Sequence, residues 1–155
     1  QAEAMYRKSL EINETLGRKE GIASAYSNLG NIYQNRGDLD QAEAMYRKSL
    51  EIDETLGNKE GIASAYGNLG VIYKTRGDLD QAEAMYRKSL EINETLGLKE
   101  GIASAYVNLG DIYQIRGDLD QAEAMYRKSL ELFEQVGAKP QIEQARGLLE
   151  GLRKG

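Results

Sequence analysis

Cysteine and histidine are both missing from this chain of 155 residues, and with them goes most of the chemistry from which protein sites are built. Without cysteine there is no disulfide framework, no thiol nucleophile and no thiolate metal site. Without histidine the commonest general base and the commonest transition-metal ligand are gone. The redox compartment stays open, with a lean toward the cytosol. Tryptophan is absent too, phenylalanine and proline occur once each, and the aromatic content rests on 10 tyrosines. So little proline suits long uninterrupted helices. No run is long and apolar enough to cross a bilayer, which argues against a membrane partner. The opening QAEAMYRKSL lacks the basic-then-apolar order of a secretory signal and starts inside a repeat, so the sequence reads as a segment excised from a longer array.

The catalytic groups that remain are carboxylates, lysines and serines. Ser24, Ser64 and Ser104 have no evident base near them. The pairs Asp38/Asp40, Asp78/Asp80 and Asp118/Asp120 lack the twelve-residue loop and terminal glutamate of a calcium site, and read as helix caps. Glycine is plentiful, but its spacing follows the repeat and no GKS or GKT accompanies it. These residues imply no enzyme, no metal and no cofactor. A net charge of −5 and a pI near 5.0 argue against nucleic acid, whose phosphates need clustered lysine and arginine. The basic residues are interleaved with acids instead, as in Glu43, Arg47, Lys48 and Glu51, a spacing that fits a solvated helix face.

What the sequence does have is a period. Residues 1–40, 41–80 and 81–120 are near-identical copies differing at six columns, and QAEAMYRKSL returns a fourth time at 121–130. A fixed period of this size marks stacked repeats, each of which buries its apolar face against its neighbours. Within a copy, Asp38 is placed to cap a helix, with Gln41 as the return partner of a capping box. Ala42, Met45, Tyr46, Ser49, Leu50 and Ile52 then follow a helical stripe that stops at Gly57. A second helix is expected over about 60–76, carrying Ile62, Ala65, Tyr66, Leu69, Ile72 and Tyr73, with Gly37, Gly77 and Gly117 as stops. Links of a few residues make consecutive helices antiparallel. Gly30, Gly70 and Gly110 lie inside helices, which points to close approach of a paired helix through Ala42, Ala82 and Ala122. Met5, Met45, Met85 and Met125 join the tyrosines in a core stripe.

The organisation expected is a single array over 1–155. It comprises an isolated B-type helix at 1–16, three A–B helix pairs at 17–56, 57–96 and 97–136, and a C-terminal capping helix at 137–155. In that last segment Ile142, Ala145, Leu149 and Leu152 keep the inward stripe, while Arg146 and Glu150 replace the tyrosine and the clearance glycine. Pro140 suits its first turn. The helix at 1–16 lacks an A-type partner, leaving its apolar side exposed or borrowed from another molecule.

The run Tyr26-x-x-Leu29-Gly30-x-x-Tyr33, followed by Gly37-Asp38, Ala42, Tyr46 and Ser49-Leu50, resembles the tetratricopeptide repeat at most of its signature columns. Tyrosine stands at the family's tryptophan column. Glu14, Glu54 and Glu94 replace its closing proline, and six residues are added before the next unit, as in the longer repeats of kinesin light chains and spindle-orientation scaffolds. The resemblance implies an all-α, right-handed superhelical solenoid whose A helices line a concave groove for peptides or extended protein segments. A carboxylate-clamp function is not implied, because Ser27, Asn31, Asn68, Ser104 and Asn108 stand where clamp members carry lysine and arginine among their asparagines.

Four of the six variable columns fall on one helix. At about 100° per residue, positions 27, 31, 34 and 35 span an arc of roughly 100°, opposite the stripe of Ala25, Leu29 and Ile32. Drift at exposed positions is one explanation, but Glu43, Arg47, Lys48, Glu51 and Glu54 on the other helix never change among the full copies. The other is a ligand whose residues differ along its length. Asn28, Asn68 and Asn108 sit invariant on the same face, where an amide can bond a peptide N–H and C=O whatever the side chain, or can bond a neighbouring helix. The expected peptide-binding set is Ser27, Asn28, Asn31, Gln34 and Asn35, then Ser64, Asn68, Val71, Lys74 and Thr75, then Val107, Asn108, Asp111, Gln114 and Ile115. The function expected is that of a non-enzymatic adaptor for a protein or peptide partner. The alternative is a structural spacer that forms homo-oligomers end to end through its N-terminal helix.

Overall fold

The computed structural model describes residues 1–155 as eight α-helices and no strand. They are α1 (Ala2–Leu16), α2 (Lys19–Asn35), α3 (Leu39–Leu56), α4 (Lys59–Thr75), α5 (Leu79–Leu96), α6 (Lys99–Ile115), α7 (Leu119–Val136) and α8 (Lys139–Lys154). The chain divides into two compact units, Gln1–Asp78 and Leu79–Gly155, each holding four helices.

In the first unit each helix packs on the next, α1 on α2, α2 on α3 and α3 on α4. Glu3 near the start of α1 meets Arg36 just past the end of α2, so this pair is antiparallel. Glu43 in α3 meets Arg76 past α4 in the same way. The second unit repeats the scheme through α5, α6, α7 and α8. The turns are forced by glycine: Gly57 ends α3 at φ 67°, a left-handed conformation that side chains rarely adopt.

Asp38 does cap α3, its carboxylate accepting from the Gln41 backbone N–H at 3.2 Å. The expected capping box is only half formed, however. Asp38 donates its own N–H to the Tyr33 carbonyl at 2.9 Å, so the preceding helix end supplies the partner that Gln41 was expected to provide. Asp40 and Asp80 are not caps. They accept from Arg76 and Arg116 at 2.5 Å each.

The core of the first unit is built from small residues and tyrosine: Ala23, Ala25 and Leu29 of α2, Ala42 and Tyr46 of α3, and Ala63, Ala65 and Leu69 of α4. In the second unit Ala122, Tyr126 and Leu149 form a cluster with Val107, Tyr113, Leu130, Leu148 and Leu152 packed around it. The helical glycines make room for these rings and not for the alanines named above. A Cβ at Gly30 would lie 2.6 Å from Tyr46 Cε1, and one at Gly110 would lie 2.5 Å from Tyr126 Cε1.

The methionine stripe is also corrected. Met45, Met85 and Met125 are half-buried, and Met5 is 71% exposed. At the other end Ala145 and Leu149 of α8 are buried, and Arg146 pairs with Glu134 at 2.8 Å. Helix α1 contains no buried residue, and Ile12 and Leu16 are exposed along with Met5.

The acid–base spacing on the B-type helices does more than solvate a face. Glu43 accepts from Arg47 on its own helix, from the Tyr73 hydroxyl at 2.8 Å, and from Arg76. Burial alone would raise this carboxyl, but the bonds from Arg76, Tyr73 and Arg47 outweigh it and hold its pKa down at about 2. Glu3 is held at about 2 by Arg36, Tyr33 and Arg7. Glu83 is lowered too, the bonds from Arg116, Arg87 and Tyr113 overcoming its burial. This network gives the invariance of Glu43, Arg47 and Tyr73 a structural cause. The contrast between a changing face and a constant one therefore rests on fewer columns than the sequence comparison implied.

Candidate functional site

Every residue of the expected binding set lies on an A-type helix, five each on α2, α4 and α6, and none of them is buried. Ser27, Asn28 and Gln34, then Asn68, Val71 and Lys74, then Val107, Asn108 and Asp111 are half-buried. Asn31, Asn35, Ser64, Thr75, Gln114 and Ile115 are exposed. They share the helix side left over when alanine, leucine and tyrosine turn inward.

Part of this set also serves the fold. The Tyr46 hydroxyl lies 2.7 Å from both Asn31 Oδ1 and Gln34 Oε1. One hydroxyl proton can be donated to only one acceptor, so the other amide completes the pair by turning its NH2 toward the tyrosine oxygen. Burial pushes the Tyr46 phenol up to about 12. In the second unit Tyr126 lies 2.8 Å from Asp111 Oδ1 and 2.9 Å from Gln114 Oε1, and burial followed by these contacts with Asp111 raises its pKa as well. Val107 packs against the cluster around Tyr126. Thr75 bonds back to the Val71 carbonyl at 2.8 Å.

The asparagines behave differently. Asn28, Asn68 and Asn108 are half-buried, yet their side-chain amides bond to nothing within the chain. Of the two roles their chemistry allowed, a bond to a neighbouring helix is therefore not made. Their donors and acceptors stay available at the surface.

In the first unit these positions border a polar groove of about 310 Å³. Ser24, Ser27 and Asn28 of α2 form one wall, Gly61 and Ser64 of α4 the other, and Ser49 and Asp53 of α3 the floor. The groove brings together Ser27, Asn28 and Ser64 of the expected set.

The floor was not foreseen. Asp53 is 4% exposed, and its Oδ1 accepts from Asn58 Nδ2 at 2.8 Å. Asn58 in turn caps α4, accepting the Gly61 N–H at 3.3 Å. Gly61 is glycine because a Cβ there would fall 2.5 Å from Asp53 Oδ2. The other copies use a different arrangement. Asn13 and Asn93 donate back to the Ser9 and Ser89 carbonyls, at 2.8 and 2.9 Å. Column 13/53/93 carries aspartate in one copy only, and column 18/58/98, which differs in every copy as Arg18, Asn58 and Leu98, carries asparagine in that same copy. The coincidence of Asp53 with Asn58 was the available signal, and five residues of separation near a helix end would have located it. A second missed contact is Lys48 over the Tyr26 ring, 5.2 Å from its centroid, which gives an invariant lysine a packing role.

With this geometry in view, the comparisons with known proteins are specific. The tetratricopeptide repeat profile matches residues 1–55, 21–95 and 99–150. The chain belongs to the tetratricopeptide repeat family. Its repeats build protein-interaction scaffolds, and this repeat array is a protein-interaction module. No curated protein matches the chain. Among solved structures it is similar to BtubC (BKLC) from P. vanneervenii, with a TM-score of 0.76, 24% identity, and coverage of 99% of this chain and 72% of that one. It is also similar to the N-terminal domain of stress-induced protein-1 (STI-1) from C. elegans, with a TM-score of 0.64, 23% identity, and coverage of 84% and 97%. At these identities the likeness concerns the fold. No helix is long and apolar enough to cross a membrane.

Proposed function

We propose that this tetratricopeptide repeat protein is an adaptor that holds an extended peptide or protein segment along the A-helix face of its repeats, without catalysis. The observation that carries the reading is the set of half-buried, unbonded amides of Asn28, Asn68 and Asn108. A half-exposed amide that bonds nothing in its own chain is free to exchange water for a partner, and an extended backbone offers the N–H and C=O that match. Backbone pairing of this kind is tolerant of side chains, and the variable columns beside it supply discrimination. A peptide-array screen identifies a ligand. Asn68→Ala then leaves melting unchanged and weakens that peptide by about tenfold, the weight of one net hydrogen bond. Unchanged affinity in a folded variant would remove the asparagines from the site.

A second reading has its own observation. Met5, Ile12 and Leu16 are 71%, 49% and 55% exposed along one side of α1, so the repeats serve as a spacer that self-associates through this helix. Light scattering at several concentrations separates the two. Self-association that is abolished by polar substitutions on α1, with no peptide captured from the array, favours the spacer.

A further inference from the structure

The floor of the groove carries a charge that nothing in the groove answers. Asp53 Oδ1 is bonded by Asn58, but Oδ2 meets only the Ser49 hydroxyl, at 3.5 Å, beyond the range of an O–H···O bond. That hydroxyl lies 3.0 Å from the Ala23 carbonyl, and its single proton is spent there. No lysine or arginine lines the groove, no ion pair involves Asp53, and the one other charged residue in the lining, Glu20, is also acidic. The first turn of α4 beside Gly61 eases the burial with its dipole, which amounts to a fraction of a charge. A residue that is 4% exposed in a groove of about 310 Å³ therefore keeps one carboxylate oxygen without a donor. In the corresponding place the other copies carry the neutral Asn13 and Asn93, each bonded back to its own helix.

We infer that the Asp53 pocket takes a positively charged side chain, lysine or arginine, of the extended segment held by the groove, an inference that rests on the function proposed above. Charge complementarity selects the occupant. A cation supplies both the missing donor to Oδ2 and the missing countercharge, and Ser24, Ser27 and Ser64 around it offer neutral acceptors for its remaining N–H groups. An acidic side chain would face Asp53 and Glu20 together and is excluded. Asp53 thus sets the register, since the unbonded asparagines are indifferent to sequence while this pocket is not.

The test uses the full chain and decapeptides recovered from a random display library. Binders are expected to share a lysine or arginine at one position. Replacing it by norleucine or glutamine weakens binding by about tenfold or more, as for a desolvated charge pair that loses one partner. Asp53→Asn installs the residue that columns 13 and 93 already carry, so it folds, which its melting curve checks. This variant is expected to bind the basic and the neutral peptide equally. Binders that are weakened by Asn28→Ala yet indifferent to Asp53→Asn would overturn the pocket assignment and leave the groove standing. Binders indifferent to both substitutions, or a library that yields none, would overturn the two together.

Discussion

A methyl group at position 30 has no room, because the Tyr46 ring occupies the place where it would sit, 2.6 Å away. The ring is held from the other side as well, by its hydroxyl on Asn31 and Gln34, so it cannot swing aside freely. Gly30→Ala would gain about 0.5–1 kcal/mol in helix propensity. It would lose about 1–3 kcal/mol to overpacking. Melting is expected to fall by a few degrees. Gly147→Ala in α8 has the opposite expectation, since nothing lies within 4 Å of its Cβ position, and melting should rise by a few degrees. Circular-dichroism melts of the two variants check the contrast, and equal shifts would disprove the ring-clearance role. The sequence showed that Gly30 needed clearance but not for which group. Ala42 and Tyr46 are four apart on one helix face, and one-dimensional spacing cannot say which of them reaches the glycine. Asp53 was less legible still, because its meaning depends on Asn58 across a turn and on Gly61 beyond it.

At the scale of the element, the chain is all helix as expected, and the second helix expected over about 60–76 is Lys59–Thr75. Period, glycine stops and the apolar stripe are local signals, and local signals survive in the sequence. What joins one helix to the next was not legible. Glu43 looks like half of an i,i+4 pair, but it is also the acceptor for Tyr73 and Arg76, 30 and 33 residues later, and such reach leaves no trace in spacing alone. These bonds have a measurable pH signature. Glu3 and Glu43 titrate at about 2 in the folded chain against an ordinary value of 4.5, and Glu83 is lowered in the same direction. A carboxyl depressed by folding contributes stability above its unfolded value and loses it as pH falls through the folded one. Melting temperature should stay flat from pH 7 to about 5 and drop between about 4.5 and 2. A triple variant, Glu3→Gln with Glu43→Gln and Glu83→Gln, should start lower at pH 7 and fall less steeply across that window. Parallel curves for the two proteins would show that these three carboxyls do not couple their helices.

Across the whole molecule, two helices of nearly one sequence meet different fates. Positions 2–16 and 42–56 differ only at Asn13 and Asp53, so α1 and the matching part of α3 share their intrinsic helix propensity. Yet α1 has no buried residue, while α3 buries Ala42, Tyr46, Ser49 and Asp53. Helix α3 packs on helices at both sides, α2 and α4, and α1 packs on α2. In a repeat protein stability is a sum of intrinsic and nearest-neighbour terms, and helices this short owe most of theirs to packing. Amide hydrogen exchange should therefore separate the two sequences. The backbone N–H groups of α1 are expected to exchange at least about a hundredfold faster than their counterparts in α3, a difference of roughly 3 kcal/mol in opening free energy. The measurement also discriminates between the functional readings. If α1 is protected as well as α3 at high protein concentration and loses that protection on dilution, a second molecule covers Met5, Ile12 and Leu16, and the spacer gains ground. If α1 stays fast at every concentration, its apolar side meets water and the face of the A helices remains the place where a partner binds.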